Sequence, residues 1–328
     1  RARRGIPRDC HGDLHLDHIY HLPDRASPGD LAIIDCIEFN ERFRFIDPVA
    51  DMAFATMDFE YHGRRDLAQA FSDAYFHASG DDEGRELLSL YVAYRATVRG
   101  MVEGLLKGEK EVPVAERAAA LARARGHWLL ALGALAPPGE RPCLLLVGGL
   151  PGTGKSTLAR RLAEEAGFGV IRSDVVRKEL AGIPIDFPTP SERREELYSS
   201  ESTERTYREC LHRAEQHLFE GNRVIVDATF REERYRRMFR AAATRNGVPF
   251  LFFGCAARPE TIQSRLAARR DDASDADWEV HTRLKAEWEH PPREVASLHH
   301  TLSTEVSTES AARQALAILR DEGLVGRL

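Results

Sequence analysis

The sequence predicts two parts: a mostly helical first domain, and an α/β second domain whose parallel sheet is covered by helices on both faces. Three observations carry this expectation. Beyond residue 142, short apolar runs alternate with longer amphipathic ones, the order that builds a parallel sheet with helical crossovers. The segment ALAPPGERP, Ala134 to Pro142, breaks an alanine-rich helical stretch with Pro-Pro-Gly just before a fresh apolar run opens. Ahead of that break, apolar residues recur at spacings of three and four, the helical period.

Composition narrows the class. A chain of 328 residues, 43% of them hydrophobic, is long enough for two packed cores. The net charge of −6 comes from the first 140 residues, with 17 basic against 23 acidic groups; the remainder carries 29 of each. Neither part has the basic surface of a general nucleic-acid binder. Five cysteines, an odd number without a close pair, disfavour a disulfide framework or a metal knuckle, so all five are expected reduced. No run reaches the eighteen apolar residues of a membrane helix, and the opening RARRGIPRDCHG lacks the apolar core of a secretion signal. A cytoplasmic location without a membrane partner is the expectation. The chain opens on Arg rather than Met and its first motif falls within about a dozen residues, so sequence upstream is expected to be missing.

The first domain, taken as 1–137, reads as two short strand-like pieces followed by amphipathic helices in 67–79, 86–106 and 115–135. The second, taken as 142–328, reads as strand 143–147, helix 156–166, strand 169–171, helix 175–181 and helical stretches over 192–219. Strand 223–226, helix 231–245, strand 250–253 and further helix complete it.

Between strand 143–147 and helix 156–166 stands Gly149-Leu150-Pro151-Gly152-Thr153-Gly154-Lys155-Ser156, followed by Thr157. It fits G-x-x-x-x-G-K-[ST] in the required strand-loop-helix setting. Glycines let backbone amides reach phosphate oxygens without obstruction, and the helix adds its positive N-terminal end. Lys155 is expected on the beta and gamma phosphates and Ser156 on magnesium, making ATP and Mg2+ the implied cofactors. The chain has only five lysines, so a chance match is rare.

Asp174, in Ser173-Asp174-Val175-Val176-Arg177, follows the second strand, where ligands of such sheets bind. A carboxylate there can take the proton of an attacking hydroxyl, and Arg177, one turn on, can hold an anionic acceptor. An N-capping aspartate beside a solvated arginine explains the same residues. Asp227 ends the apolar strand Val224-Ile225-Val226, the form of an element that organises a hydrated metal. Arg265 and Arg269, four apart, share one helical face and can close over a triphosphate or simply face solvent.

Taken together, GLPGTGKST, SDVVR, VIVDATF and the R-x-x-x-R pair resemble the P-loop kinase group that includes the polynucleotide 5'-hydroxyl kinases, gluconate kinases and zeta toxins. The likeness runs from Pro142 to about His290 and is nearest to the kinase domain of polynucleotide kinase. It implies Asp174 as general base, Arg177 on acceptor phosphate, Asp227 organising magnesium and Arg265 with Arg269 as lid arginines. The insertion from Ile183 to Cys210 lies where acceptor specificity is built and names no acceptor.

In the first domain, Cys10-His11-Gly12-Asp13-Leu14-His15-Leu16-Asp17-His18 resembles the H-G-D-x-H-x-x-N loop of the aminoglycoside phosphotransferase and choline kinase group. The resemblance implies Asp13 as catalytic base and Asp35 as the second, metal-binding aspartate. His18 stands where that group has a metal-binding asparagine, and the nucleotide-gripping lobe that precedes the motif there has no counterpart in this chain. This half is expected to be an incomplete, kinase-like C-terminal lobe. The His11, His15 and His18 spacing also fits a metal site or a structural cluster.

The expected activity is transfer of the gamma phosphate of ATP to an unidentified hydroxyl acceptor by the second domain. A nucleic-acid end is less favoured than a small molecule, because the second domain is near-neutral. The alternative is a nucleotide-switched module serving a phosphotransferase-like domain that is the true transferase in a longer chain.

Overall fold

The computed structural model describes residues 1–185, 189, 191–268, 276–305 and 307–326. Arg269 therefore lies outside the described residues. The chain forms two compact units, residues 1–135 with 244–248, and residues 136–243 with 249–328.

The first unit holds helices α1 (Pro48–Tyr61), α2 (Arg65–Ser79), α3 (Leu88–Leu105) and α4 (Val114–Leu135). Short antiparallel pairs, β1 (Arg8–Asp9) with β4 (Phe45–Ile46) and β2 (Ile19–His21) with β3 (Leu31–Ile33), precede them. Ala53, Phe54 and Met57 of α1 pack against Val92, Ala93 and Ala96 of α3 and Leu130 of α4. Helix α1 is absent from the sequence-based expectation, and its burial says why. Every residue from Val49 to Asp58 is buried, so no polar face alternates with an apolar one to mark the period.

The second unit is built on a five-stranded sheet of β5 (Cys143–Gly148), β6 (Gly169–Arg172), β7 (Arg223–Asp227), β8 (Phe250–Ala256) and β9 (His299–Ser303). Its order is β6-β7-β5-β8-β9 and every neighbouring pair is parallel, so each connection must cross over through a helix. The helices are α5 (Lys155–Ala166), α6 (Ser173–Leu180), α7 (Ser191–Leu197), α8 (Ser200–Phe219), α9 (Glu233–Arg245), α10 (Pro259–Ala268), α11 (Trp278–Ala286) and α12 (Thr308–Asp321).

Strands β5 and β7 are buried from end to end, hence their unbroken apolar run. One core joins Leu158 and Leu162 of α5, Ala315 and Leu319 of α12, and Leu145, Val147 and Phe253 of the sheet. Another contact set stacks Tyr207 of α8 on Tyr235 of α9, with Phe230, Phe239 and Phe252 edge to edge. Arg223 fixes the other end of the sheet, donating to the carbonyls of Gly139, Ala166 and Leu324. Order reverses at β5, which is flanked by β7 and β8, so the carboxyl end of β5 opens on the crevice where such sheets take ligands. Helix α12 falls in the stretch expected as further helix, whereas β9 in that stretch is absent from the expectation; it is a short edge strand whose alternation is weak.

Among the described residues no disulfide joins the five cysteines, and Cys143, Cys210 and Cys255 are buried. Among the described residues no helix is long and apolar enough to cross a membrane.

Candidate active site

The loop from Gly149 to Gly154 joins β5 to α5 at that crevice. Two of its glycines are needed for space as well as conformation. A Cβ on Gly149, at φ 144°, would stand 2.6 Å from Thr153 Oγ1 and 2.8 Å from the Cys255 carbonyl. One on Gly152, at φ 81°, would stand 2.8 Å from Ile262 of α10. The loop is closed by Thr153, whose Oγ1 donates to the Leu150 carbonyl at 2.7 Å, and anchored by Gly149 N–H donating to the Thr229 carbonyl. Pro151 and Gly152 are buried, Lys155 is 7% exposed, Ser156 is half-buried and Thr157 faces solvent.

Asp227 is the last residue of β7, level with Val147 on β5 and Arg172 on β6. It is 3% exposed and its Oδ1 has no hydrogen-bond partner among the described residues. Arg172 Nε stands 3.6 Å from its Oδ2. Burial pushes the Asp227 pKa up; the Lys155 ammonium, the Ser156 hydroxyl and Arg172 pull it back, while the charge of Asp174 pushes it further up. Asp174 lies in the first turn of α6, so the Asp174, Asp227, Lys155 and Ser156 side chains share one electrostatic neighbourhood at the carboxyl ends of β5 to β7. Two hard oxygen donors, one with an orphaned buried lone-pair site, match what a magnesium ion takes.

This raised pKa carries a stability prediction. A carboxyl whose folded pKa lies above its unfolded value adds stability below the unfolded pKa, and that contribution is lost as pH rises through the folded pKa. At neutral pH, well above the pKa of an unfolded carboxyl, Asp227 therefore destabilises the ligand-free protein, since its cationic neighbours do not offset its desolvation. Asp227→Asn is expected to raise the melting temperature of ligand-free protein at pH 7 by about 2 °C or more, for about 1 kcal/mol removed, while weakening magnesium-dependent nucleotide binding. Scanning calorimetry checks the first and titration the second; a lower melting temperature contradicts the reading of Asp227.

After Asp227 the chain makes a strained turn. Phe230, fully buried, sits at φ 51°, a left-handed conformation uncommon for a bulky residue. Its N–H donates to the Tyr207 hydroxyl at 3.0 Å, and Arg236, itself fully buried, donates to its carbonyl at 2.6 Å. Strain held by buried hydrogen bonds beside a ligand crevice is where functional sites store it.

Arg265 of α10 reaches the loop. It donates to the Thr304 carbonyl at 2.6 Å, and its Nη1 comes within 3.5 Å of where a Gly154 Cβ would stand. Arg177 is 8% exposed; it donates to the Leu197 carbonyl at 2.9 Å and the Thr203 hydroxyl at 3.2 Å, with Tyr198 against its face. Its guanidinium thus fastens the junction of α7 and α8 inside the region expected to set acceptor choice. A cavity of about 320 Å³ opens on the flank of the loop, lined by Gly149, Leu150, Phe252, His281 and Trp288. Lys155, Ser156 and Asp227 are not on its wall.

The first unit gathers its own cluster. His11 and Gly12 donate their N–H groups to the two oxygens of Asp51, each at 2.9 Å, and Leu16 N–H donates to Asp58. Asp51 and Asp58 are seven apart on α1, so one buried face of that helix holds the loop. His15 lies 3.5 Å from Asp13 Oδ2, and His18 Nε2 lies 3.3 Å from Asp35 Oδ2. The hydrogen bond from His15 holds the Asp13 carboxyl below its usual range. Asp13, His15 and His18 can present ligand atoms within 4.8 Å of one another.

A parallel sheet whose central strand runs into this glycine loop, with Lys155 and Ser156 opening the next helix and an acid ending the adjacent strand, defines a P-loop nucleotide-binding fold. Within that class, residues 144–291 match the family described as AAA domain. Uncharacterized proteins of Mycobacterium tuberculosis and Mycobacterium bovis are 36% identical over 294 residues. That alignment takes in 88% of this chain and 56% of each relative, so the chain spans about half the length of the curated relatives it matches. Among solved structures, a gluconokinase from Sinorhizobium meliloti 1021 aligns at 20% identity and a TM-score of 0.39, over 56% of this chain and 93% of that one. The Mycobacterium tuberculosis APS kinase in complex with AMPPNP and APS aligns at 18% identity and a TM-score of 0.40, over 56% and 99%.

Proposed function

We propose that the second unit transfers the gamma phosphoryl group of ATP to a hydroxyl acceptor. The observation that supports this most is the buried, half-unpartnered carboxylate of Asp227 in the charge field of Lys155 beside Ser156, at the end of the strand next to the loop. A loop that only turned the chain would have no reason to keep that carboxylate buried.

In this reading the loop amides and Lys155 hold the beta and gamma phosphates, and Ser156 with Asp227 would hold Mg2+. When bound, that ion neutralises charge on the phosphates. Asp174 accepts the acceptor's hydroxyl proton as the new oxygen-phosphorus bond forms and the bond to the beta-phosphate oxygen breaks, leaving ADP. Arg265 neutralises charge gathering on the transferred group. Arg269 shares that role in the same reading. Arg177 acts on the acceptor side, through the α7 and α8 junction that it fastens.

Gamma-labelled ATP offered with sugars, small hydroxylated metabolites and 5'-hydroxyl oligonucleotides tests the proposal. Label is expected on one acceptor class, in a magnesium-dependent manner. Nucleotide binding with no transfer to any class overturns it. A near-neutral unit leads us to expect the small-molecule arm to respond.

One observation favours a second reading. In the first unit His18 lies 3.9 Å from Asp13 Oδ2, on the loop held by α1, and 3.3 Å from Asp35 Oδ2, beyond β3. In that reading the first unit performs transfer within a longer protein and nucleotide at the second unit regulates it.

A further inference from the structure

We infer that His281 and Thr304 are positioning residues that aim the amides of the phosphate loop; this rests on the loop holding a polyphosphate as proposed above. Neither residue belongs to the loop motif. His281 Nδ1 donates to the Pro151 carbonyl at 2.9 Å, and Thr304 Oγ1 donates to the Thr153 carbonyl at 2.7 Å. Both are buried, at 3% and 4% exposure.

A peptide group is planar, and in its trans form the carbonyl and the following N–H point opposite ways. Holding the Pro151 carbonyl from outside turns the Gly152 N–H to the inner side of the loop. Holding the Thr153 carbonyl does the same for the Gly154 N–H. These are the peptides that most need such restraint, since each is followed by a glycine with φ near 80°, where no side chain limits rotation of the plane. The Leu150 carbonyl needs no outside partner, because Thr153 takes it from within.

Each anchor is itself fixed. The Thr304 N–H donates to the Ala256 carbonyl at the end of β8, and the Thr304 carbonyl receives Arg265. Next to it, the Glu305 carboxylate accepts from Arg258 N–H and the Thr261 hydroxyl, which ties the first turn of α10 to the same turn of chain. The His281 ring lies flat on Trp278, with centroids 5.0 Å apart. The loop's donors are therefore set by α11 and by the turn between β9 and α12, through single hydrogen bonds.

Titration calorimetry of the full chain with Mg·ATP and Mg·ADP tests this. Thr304→Val keeps shape and loses the donor; it is expected to weaken both nucleotides about tenfold, about 1.4 kcal/mol, with little change in melting temperature. Thr304→Ser restores the hydroxyl and is expected to bind as the parent does. His281→Phe is expected to lose affinity similarly and His281→Asn, which keeps a donor, to recover much of it; this pair decides the matter should Thr304→Val not fold. Binding within twofold of the parent for both Thr304→Val and His281→Phe overturns the inference, as does equal loss in the donor-keeping variants. Should the parent chain itself bind neither nucleotide, the proposed function falls first and this inference with it.

Discussion

Asp174→Asn is expected to lower the rate of phosphoryl transfer by about 10²- to 10⁴-fold, the usual worth of a positioned general base, and to leave ATP affinity in place. The separation follows from where the residue sits. Asp174 is in the first turn of α6 after β6, whereas the proposed triphosphate site is the loop after β5 with Lys155 at the start of α5. Asparagine keeps the size and suits the start of a helix, so the fold should be undisturbed. It also removes a negative charge that opposes ionisation of Asp227, so nothing in the substitution weakens nucleotide binding. Steady-state transfer to the acceptor class that takes label in the gamma-labelled ATP screen, beside a binding titration, checks both halves. A variant that transfers phosphate at the parent rate removes Asp174 from the mechanism and favours the reading in which the second unit only senses nucleotide.

Lys155→Met is expected to reduce both binding and turnover, with kcat/KM falling by about 10²- to 10³-fold, as when a preorganised charge is taken from a transferring group. The aliphatic chain of Lys155 is buried, and methionine fills a similar volume. The ammonium also has a second duty, as the strongest of the groups that favour ionised Asp227. Its loss should therefore push the Asp227 pKa up further and make magnesium binding more dependent on pH, weakening as pH falls. Arginine is not a conservative replacement here, because its planar fork cannot stand in for a compact ammonium in a closed loop. Binding and rate measured across pH check this; an unchanged kcat/KM contradicts the placement of Lys155 on the phosphates.

What the sequence shows plainly is local. The run from β5 through Gly149, Gly152 and Gly154 to Lys155 and Ser156 is continuous in the chain, so its spacing is visible to inspection. Asp227 is visible because an acid that ends an apolar strand interrupts the pattern. The restraints on that loop are not local. His281 acts on Pro151 across 130 positions and Thr304 on Thr153 across 151, and a lone histidine or threonine at such a distance carries no spacing signal. The same holds in the first unit, where Asp51 and Asp58 grip the Asp13 loop from a helix that burial on all sides had hidden. Arg177 illustrates another limit: sequence places it a turn from Asp174, but only the folded α7 and α8 junction accounts for its carbonyl and hydroxyl partners.

The most direct measurement is a calorimetric titration of the intact chain with ATP in the presence of magnesium, run in parallel with Lys155→Met. A saturable single-site isotherm that ADP competes away and that the variant loses is the predicted result. No heat of binding, or an isotherm the variant reproduces, would mean the loop after β5 does not grip a polyphosphate.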